Sequence, residues 1–203
     1  MVRALVLAAV LVLAACGGTA GRIARAADAM EHLRGVRFTI AASSVASGAP
    51  ASGGDLALRY RAAGELAPPD RLRLTVIEPR PAVLVIAGRT ATLDGQPASP
   101  TALRSLASPI AILEQLREPG DATFSGLGFA QGNVTARYRI DRRERGVVEV
   151  ELGLLDDLVR RQTFTVSEAA PPDGSGLQTV RTTYVVEYRD FGTPVQVGEP
   201  GAP

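Results

Sequence analysis

The sequence predicts an α+β fold, with one large, curved antiparallel sheet of about ten strands and helices on one face. Most of the chain after residue 35 alternates apolar and polar residues with a period of two. That pattern is typical of strands buried on one side and wet on the other. Two segments, 22–35 and 99–120, space their apolar residues at three and four instead, as helices do.

The chain opens on an apolar run of twelve residues, Ala4–Ala15, preceded by Arg3. A helix needs about 20 apolar residues to cross a bilayer, so this run is too short to span one. Its length, its positive flank and its small residues before Cys16 fit a signal peptide. A buried N-terminal core helix is the alternative.

The first helix is predicted directly after a short glycine-rich tether. Ile23, Ala27, Met30 and Leu33 recur at i, i+4, i+7 and i+10, which is the spacing of one helical face. Gly35 follows as a candidate C-cap.

Strands follow wherever the period changes to two. The predicted strands are 36–40, 56–61, 71–76, 83–86, 89–93, 123–129, 134–140, 147–152, 158–166 and 179–188. Residue pairs that favour turns separate some of these strands, at Asp94-Gly95, Gly132-Asn133 and Asp156-Asp157.

A helical insert interrupts the strands. Pro100 and Pro109 suit the first turn of a helix, and Pro119-Gly120 ends the pattern. Its apolar stripe is Leu103, Leu106, Ile110, Leu113 and Leu116.

Composition excludes several classes of function. Lys plus Arg total 22 against 21 acidic residues, which does not favour nucleic-acid binding. A single histidine and a single cysteine cannot form a zinc site, and no G-x-S-x-G motif is present. We therefore expect no enzyme activity, no metal and no cofactor, and we interpret His32 as a surface residue.

A series of arginines marks the polar side of the predicted strands. A solvated face is the simpler interpretation, and contact with anionic headgroups is the alternative. The series is Arg59, Arg61, Arg71, Arg73, Arg137 and Arg139.

Leu13-Ala14-Ala15-Cys16 resembles a bacterial lipobox. The resemblance implies a diacylglyceryl group on the sulfur of Cys16, cleavage before it, and acylation by chains such as palmitate. A lone cysteine cannot form an internal disulfide, which fits this use. The predicted division is a signal peptide over 1–15, a lipidated tether over 16–21, and a single domain over 22–203.

The layout as a whole resembles the exported LppX/LprG lipoproteins, which have a LolA-like fold. Besides the lipobox, three stretches carry the resemblance: "AADAMEHLRGVRFTI", "LLDDLVRRQTFTV" and "YVVEYRDFGTPVQVGEP", whose ending resembles an Asp-Phe-Gly corner and a Pro-Val strand. The resemblance implies a half-barrel with the N-terminal helix and the helical insert packed on its concave face.

In such a fold the sheet and helices enclose an apolar cavity that holds acyl chains. The implied protein is anchored through Cys16 to the extracytoplasmic face of the cell membrane and carries a lipid or glycolipid, with another envelope protein as a further partner. The residues predicted to contact lipid are Leu103, Leu106, Ile110, Leu113, Leu116, Phe38, Leu58 and Leu74.

The same apolar residues can also pack as a solid core. The protein would then be a surface-anchored interaction or envelope-sensing module of the same fold with no cargo. A pocket of several hundred Å³ would favour the carrier, and an exposed apolar patch over a solid core would favour the module.

Overall fold

The computed structural model describes residues 18–47, 58–99, 113, 116–117, 119–142, 146–169 and 179–198. They form one long helix, α1 (Gly18–Glu31), and eleven strands. The strands are β1 (Val36–Ser47), β2 (Leu58–Ala67), β3 (Arg71–Glu78), β4 (Ala82–Ala87), β5 (Thr90–Leu93), β6 (Gln96–Pro97), β7 (Asp121–Ala130), β8 (Asn133–Arg142), β9 (Gly146–Gly153), β10 (Val159–Ala169) and β11 (Thr179–Arg189).

All eleven strands belong to one open, curved antiparallel sheet in the order β6-β5-β4-β3-β2-β1-β11-β10-β9-β8-β7. Two meanders, of six and five strands, meet where β1 pairs with β11. That pairing runs from Arg37 opposite Arg189 to Ser47 opposite Thr179. The predicted fold class, a half-barrel with an N-terminal helix, is confirmed.

The ten predicted strands are all present, and β6 is an eleventh. It spans only Gln96–Pro97, which is too short for any periodicity to reveal. The turn before it is the one predicted from Asp94-Gly95. Both residues have positive φ (50° and 77°), as a two-residue hairpin requires.

Helix α1 buries the predicted face, with Ile23, Ala27 and Met30 all in the core. It begins earlier than expected, since residues 18–21 of the predicted tether are already helical. It also ends at Glu31, so Gly35 is not its C-cap. Instead the carbonyl of Gly35 accepts a hydrogen bond from the backbone N–H of Gly192, in the Asp-Phe-Gly corner (2.9 Å).

The helix and the sheet share one hydrophobic core on the concave face of the sheet. The core lies toward one end, where β1 begins and β2, β9 and β11 end; we call this the closed end and the opposite one the open end. The C-terminal segment 193–198 is not a strand, which corrects the expected Pro-Val strand. It still docks on the sheet, because Val197 is buried and its carbonyl accepts from Arg71 (3.4 Å).

Of the predicted helical insert over 99–120, the structure describes residues 99, 113, 116–117 and 119–120, of which Leu113, Leu116 and Arg117 are helical. The remainder of that prediction lies outside the described residues, as do the signal peptide, Cys16 and the residue after it.

Candidate functional site

On β2, β1, β11 and β10, burial on the concave face falls from one row of residues to the next, whereas on β9 and β8 Val148 and Ile140 stay buried. Toward the closed end, Ile40, Val186, Gln162 and Val150 lie side by side across four strands and are at most 2% exposed. One step toward the open end, the row across β2, β1, β11 and β10 is only partly covered. It consists of Tyr60, Ala42, Tyr184 and Phe164, and we call it the aromatic row.

The aromatic row is an ordered apolar surface. The rings of Phe164 and Tyr184 stack with centroids 4.8 Å apart and planes 10° from parallel. Tyr60 and Tyr184 flank the small Ala42, which is itself buried (8% exposed). Burial raises the pKa of the Tyr60 hydroxyl, and the neighbouring Tyr184 raises it further. Tyr60 is therefore neutral at physiological pH.

The next row toward the open end is also half-buried and has its polar groups satisfied. The hydroxyls of Ser44 and Thr182 lie 2.8 Å apart and hydrogen-bond each other. Val166 lies opposite Thr182 on the same face. The concave face thus stays weakly polar beyond the aromatic row.

The closed end is packed solid around the predicted lipid contacts Phe38 and Leu74, which are 0% and 1% exposed. The Phe38 ring covers Gly64, where a Cβ would lie 2.6 Å from a ring carbon. Leu113 and Leu116 are buried in the same core. Lipid contact at these four residues stays a prediction, and their described surroundings are protein.

One small cavity lies at this end, between α1, the turn after β2 and the insert. It measures about 20 Å³ and is lined by Ala27, Glu31, Leu66, Pro68, Pro69, Leu113 and Arg117. That volume holds about one water molecule. Pockets that hold drug-sized ligands measure about 300–1,000 Å³, so this one is too small for an acyl chain.

Four of the predicted site residues lie outside the described residues: Cys16, Leu103, Leu106 and Ile110. Leu58 begins β2, and its side chain is likewise outside the description.

Two polar contacts inside the fold were not predicted. Fully buried Tyr188 donates to Oε1 of fully buried Gln162 (2.8 Å), and burial raises the pKa of that tyrosine strongly. Gln162 occupies an inward-facing position of a predicted strand. A polar residue at such a position could have indicated a buried hydrogen bond.

The second contact joins α1 to the β9–β10 turn. Nε of the buried Arg22 donates to a carboxylate oxygen of Asp157 (2.7 Å), and Nη2 lies 3.5 Å from the carbonyl oxygens of Gly153 and Leu154. No local pattern predicts this contact, because the partners are 135 residues apart.

The predicted arginine series lies on the convex face, where strand register sets many arginines opposite carboxylates. Arg137 and Arg139 face Glu151 and Glu149, with 3.5 Å between Nη2 of Arg137 and Oε1 of Glu151. Arg73 lies opposite Glu65. This pairing favours the solvated-face interpretation, since much of the positive charge is balanced within the sheet.

The described residues also show whether metal ligands cluster and whether a helix could cross a membrane. In the ranges that the structure describes, His, Cys, Asp and Glu side chains nowhere gather in threes that would hold a metal ion. Among the described residues, none of the helical segments has the length and apolar content that a bilayer crossing requires.

Comparison with known proteins identifies the fold. No protein-family model matches the sequence, and no curated protein matches it. The lipoprotein LppX of Mycobacterium tuberculosis matches over 88% of this chain and 97% of its own, with a TM-score of 0.52 and 12% identity. The fold is that of LppX.

Two looser matches accompany LppX. The match to LprF from Mycobacterium bovis covers 90% of this chain and 97% of the LprF chain at 10% identity, with a TM-score of 0.48. The MucA/MucB complex of Pseudomonas aeruginosa matches over 82% of this chain and 56% of the matched chain at 14% identity, with a TM-score of 0.38. The match to LppX confirms the LppX/LprG resemblance for the fold, which is the level that 12% identity supports.

Proposed function

We propose that this protein is a lipid-anchored, extracytoplasmic carrier that binds the acyl chains of a lipid or glycolipid on the open half of its concave face. The observation that carries the proposal is the aromatic row. A stacked aromatic pair, a third ring and weakly polar neighbours form a half-buried surface inside a curved sheet whose other end is sealed.

The energetics favour a long apolar ligand on this surface. Each buried methylene contributes about 0.8 kcal/mol, so a chain of a dozen or more carbons gains enough to offset the cost of ordering it. The small cavity at the closed end supports the aromatic row, rather than Phe38 and Leu74, as the principal contact. Leu103, Leu106 and Ile110 of the insert are the proposed cover, because Leu113 and Leu116 are already buried at the closed end.

A charge placed on one face of β10 tests this site. Phe164→Arg puts a cation in the aromatic row and removes the stack with Tyr184, so the affinity for a fluorescent fatty acid should fall by about tenfold or more. Thr163→Arg is the matched control, since the adjacent side chain points to the convex face. Equal affinity in the two variants, with unchanged circular dichroism, would contradict the proposed site.

The anchor is tested separately. Cys16→Ser removes the sulfur that would carry the diacylglyceryl group, so the variant should appear as an uncleaved or soluble product. Partitioning into detergent is the measurement. If the variant partitions like the wild type, the lipobox interpretation is wrong.

The second candidate function is an interaction or envelope-sensing module of the same fold. Three observations favour it by the criterion set out above: the closed end is packed solid, the cavity there measures only about 20 Å³, and the edge strand β7 exposes apolar residues, notably Phe124 and Phe129. It becomes the better account if the wild-type protein binds no lipid.

A further inference from the structure

An uncharged apolar surface surrounds the β7–β8 hairpin. The ten residues Gly126–Thr135 contain no charged side chain, in a chain that is 21% charged. Three apolar members are well exposed, namely Leu127 (42%), Phe129 (70%) and Val134 (50%). Exposed apolar surface of this kind marks contact sites for proteins or membranes.

A fourth apolar residue extends this surface from the neighbouring hairpin. The N–H of Leu154 donates to the carbonyl of Val134 (3.3 Å), which holds the β9–β10 turn beside β8. The next residue, Leu155, is fully exposed at the tip of that turn. We call the four exposed residues Leu127, Phe129, Val134 and Leu155 the apolar rim.

The acidic residues next to the rim are already neutralised. Asp156 pairs with Arg160 and also accepts from the N–H of Leu158, and Asp157 pairs with Arg22. The rim therefore carries little net charge to oppose its transfer into an apolar or interfacial environment.

The start of α1 lies at this same place. Arg22, which contacts the β9–β10 turn, is about 6 Å along the helix axis from Gly18. Cys16 is two residues before Gly18, and two residues reach at most about 7 Å. Arg22 would then lie at most about 13 Å from Cys16, so a lipid on Cys16 would hold the rim on the side of the domain that faces the bilayer.

We propose that the apolar rim inserts into the bilayer that holds the anchor and so fixes the orientation of the domain, with the closed end toward the membrane and the open end away from it. The inference rests on the proposed lipidation of Cys16. The acyl chains supply the affinity, whereas the rim fixes the orientation of the domain, because apolar side chains with uncharged neighbours partition into the interface.

The chain contains no tryptophan, so single tryptophans can report depth in the membrane. Phe129→Trp places the probe in the rim, and Leu155→Trp places a second one on the turn. Ile77→Trp is the matched control, because Ile77 is also half-exposed (49%) but lies at the open end of β3. Each processed lipoprotein is reconstituted into vesicles of phosphatidylcholine and phosphatidylglycerol with and without brominated acyl chains.

We expect the bromine to quench about half of the emission from each rim probe and to leave the Ile77→Trp emission nearly unchanged. Equal quenching of rim and control probes, or none at either position, would overturn the proposal. Concentration-dependent association without vesicles would overturn it in favour of a second copy on the rim. A protein that does not stay with the vesicles would overturn the anchor and this orientation together.

The outcome is separable from the cargo proposal. Leu155→Asp adds a charge to the rim without touching the aromatic row. It should abolish the quenching of a Phe129→Trp probe while leaving fatty-acid affinity unchanged. Loss of fatty-acid affinity in this variant would show that the rim and the cargo site are one surface, which would contradict the proposed orientation.

Discussion

At the scale of single residues, the buried pair of Tyr188 and Gln162 stabilises the fold only as long as both partners remain. The hydroxyl of Tyr188 donates to Gln162 in a site from which water is excluded, and Nε2 of Gln162 has no partner among the described residues. A hydrogen bond between buried neutral groups contributes about 1 kcal/mol, whereas an orphaned partner costs about 1–3 kcal/mol.

A double-mutant cycle tests this pair. Tyr188→Phe should lower the free energy of unfolding by about 1–3 kcal/mol, because the Gln162 carbonyl loses its donor. The double variant Tyr188→Phe/Gln162→Leu should recover most of that loss, since no buried polar group is then left unpaired. Chemical denaturation measures the wild type, Tyr188→Phe, Gln162→Leu and the double variant. Additive losses in the double variant would show that the pair does not act as a unit.

At the scale of elements, α1 is attached to the sheet by hydrophobic burial and by one charged contact. Arg22 has a side chain only 5% exposed, and its Nη1 has no partner among the described residues. Asp157, about one-third exposed, supplies the compensating charge from a turn with a left-handed backbone (φ 53°).

Asp157→Asn removes the charge and keeps a side chain that tolerates a left-handed backbone. We expect a loss of about 1–3 kcal/mol of stability, discounted for the partial exposure of Asp157. The amide hydrogens of α1 should then exchange faster. Asp156→Asn is the control, because Asp156 pairs with Arg160 rather than with the helix. Unchanged exchange in α1 of Asp157→Asn would contradict the role of this contact.

Individual strands were predictable from the sequence, whereas their pairing was not. Strand β3 was predictable because the alternation of Arg71, Leu72, Arg73 and Leu74 matches the alternating exposure and burial of these side chains. The pairing of β1 with β11 was not, since no local pattern reports contact between residues about 140 positions apart.

The candidate site was predicted only in outline. An apolar concave face followed from the period of two, but alternation assigns Phe38 and Phe164 to the same face without distinguishing a sealed end from an open one. That difference arises from where α1 lies, and the position of α1 depends on the contact between Arg22 and Asp157.

At the scale of the whole molecule, the two ends of the sheet differ in structure. The closed end holds the core, the start of α1 and the apolar rim, whereas the open end holds the aromatic row. A carrier built in this way would hold its acyl chain away from the anchoring bilayer and present it to the envelope space. The central claim is therefore that an acyl chain occupies the open half of the concave face.

The most direct measurement is the mass of the intact processed protein under non-denaturing conditions after purification from a bacterial host. An acyl chain of about sixteen carbons gains on the order of 10 kcal/mol from burial, before ordering costs, and should survive purification. We predict a non-covalent lipid adduct on the wild type and on Thr163→Arg, and its loss from Phe164→Arg. A wild-type protein with no adduct and no uptake of added fatty acid or phospholipid would contradict the account.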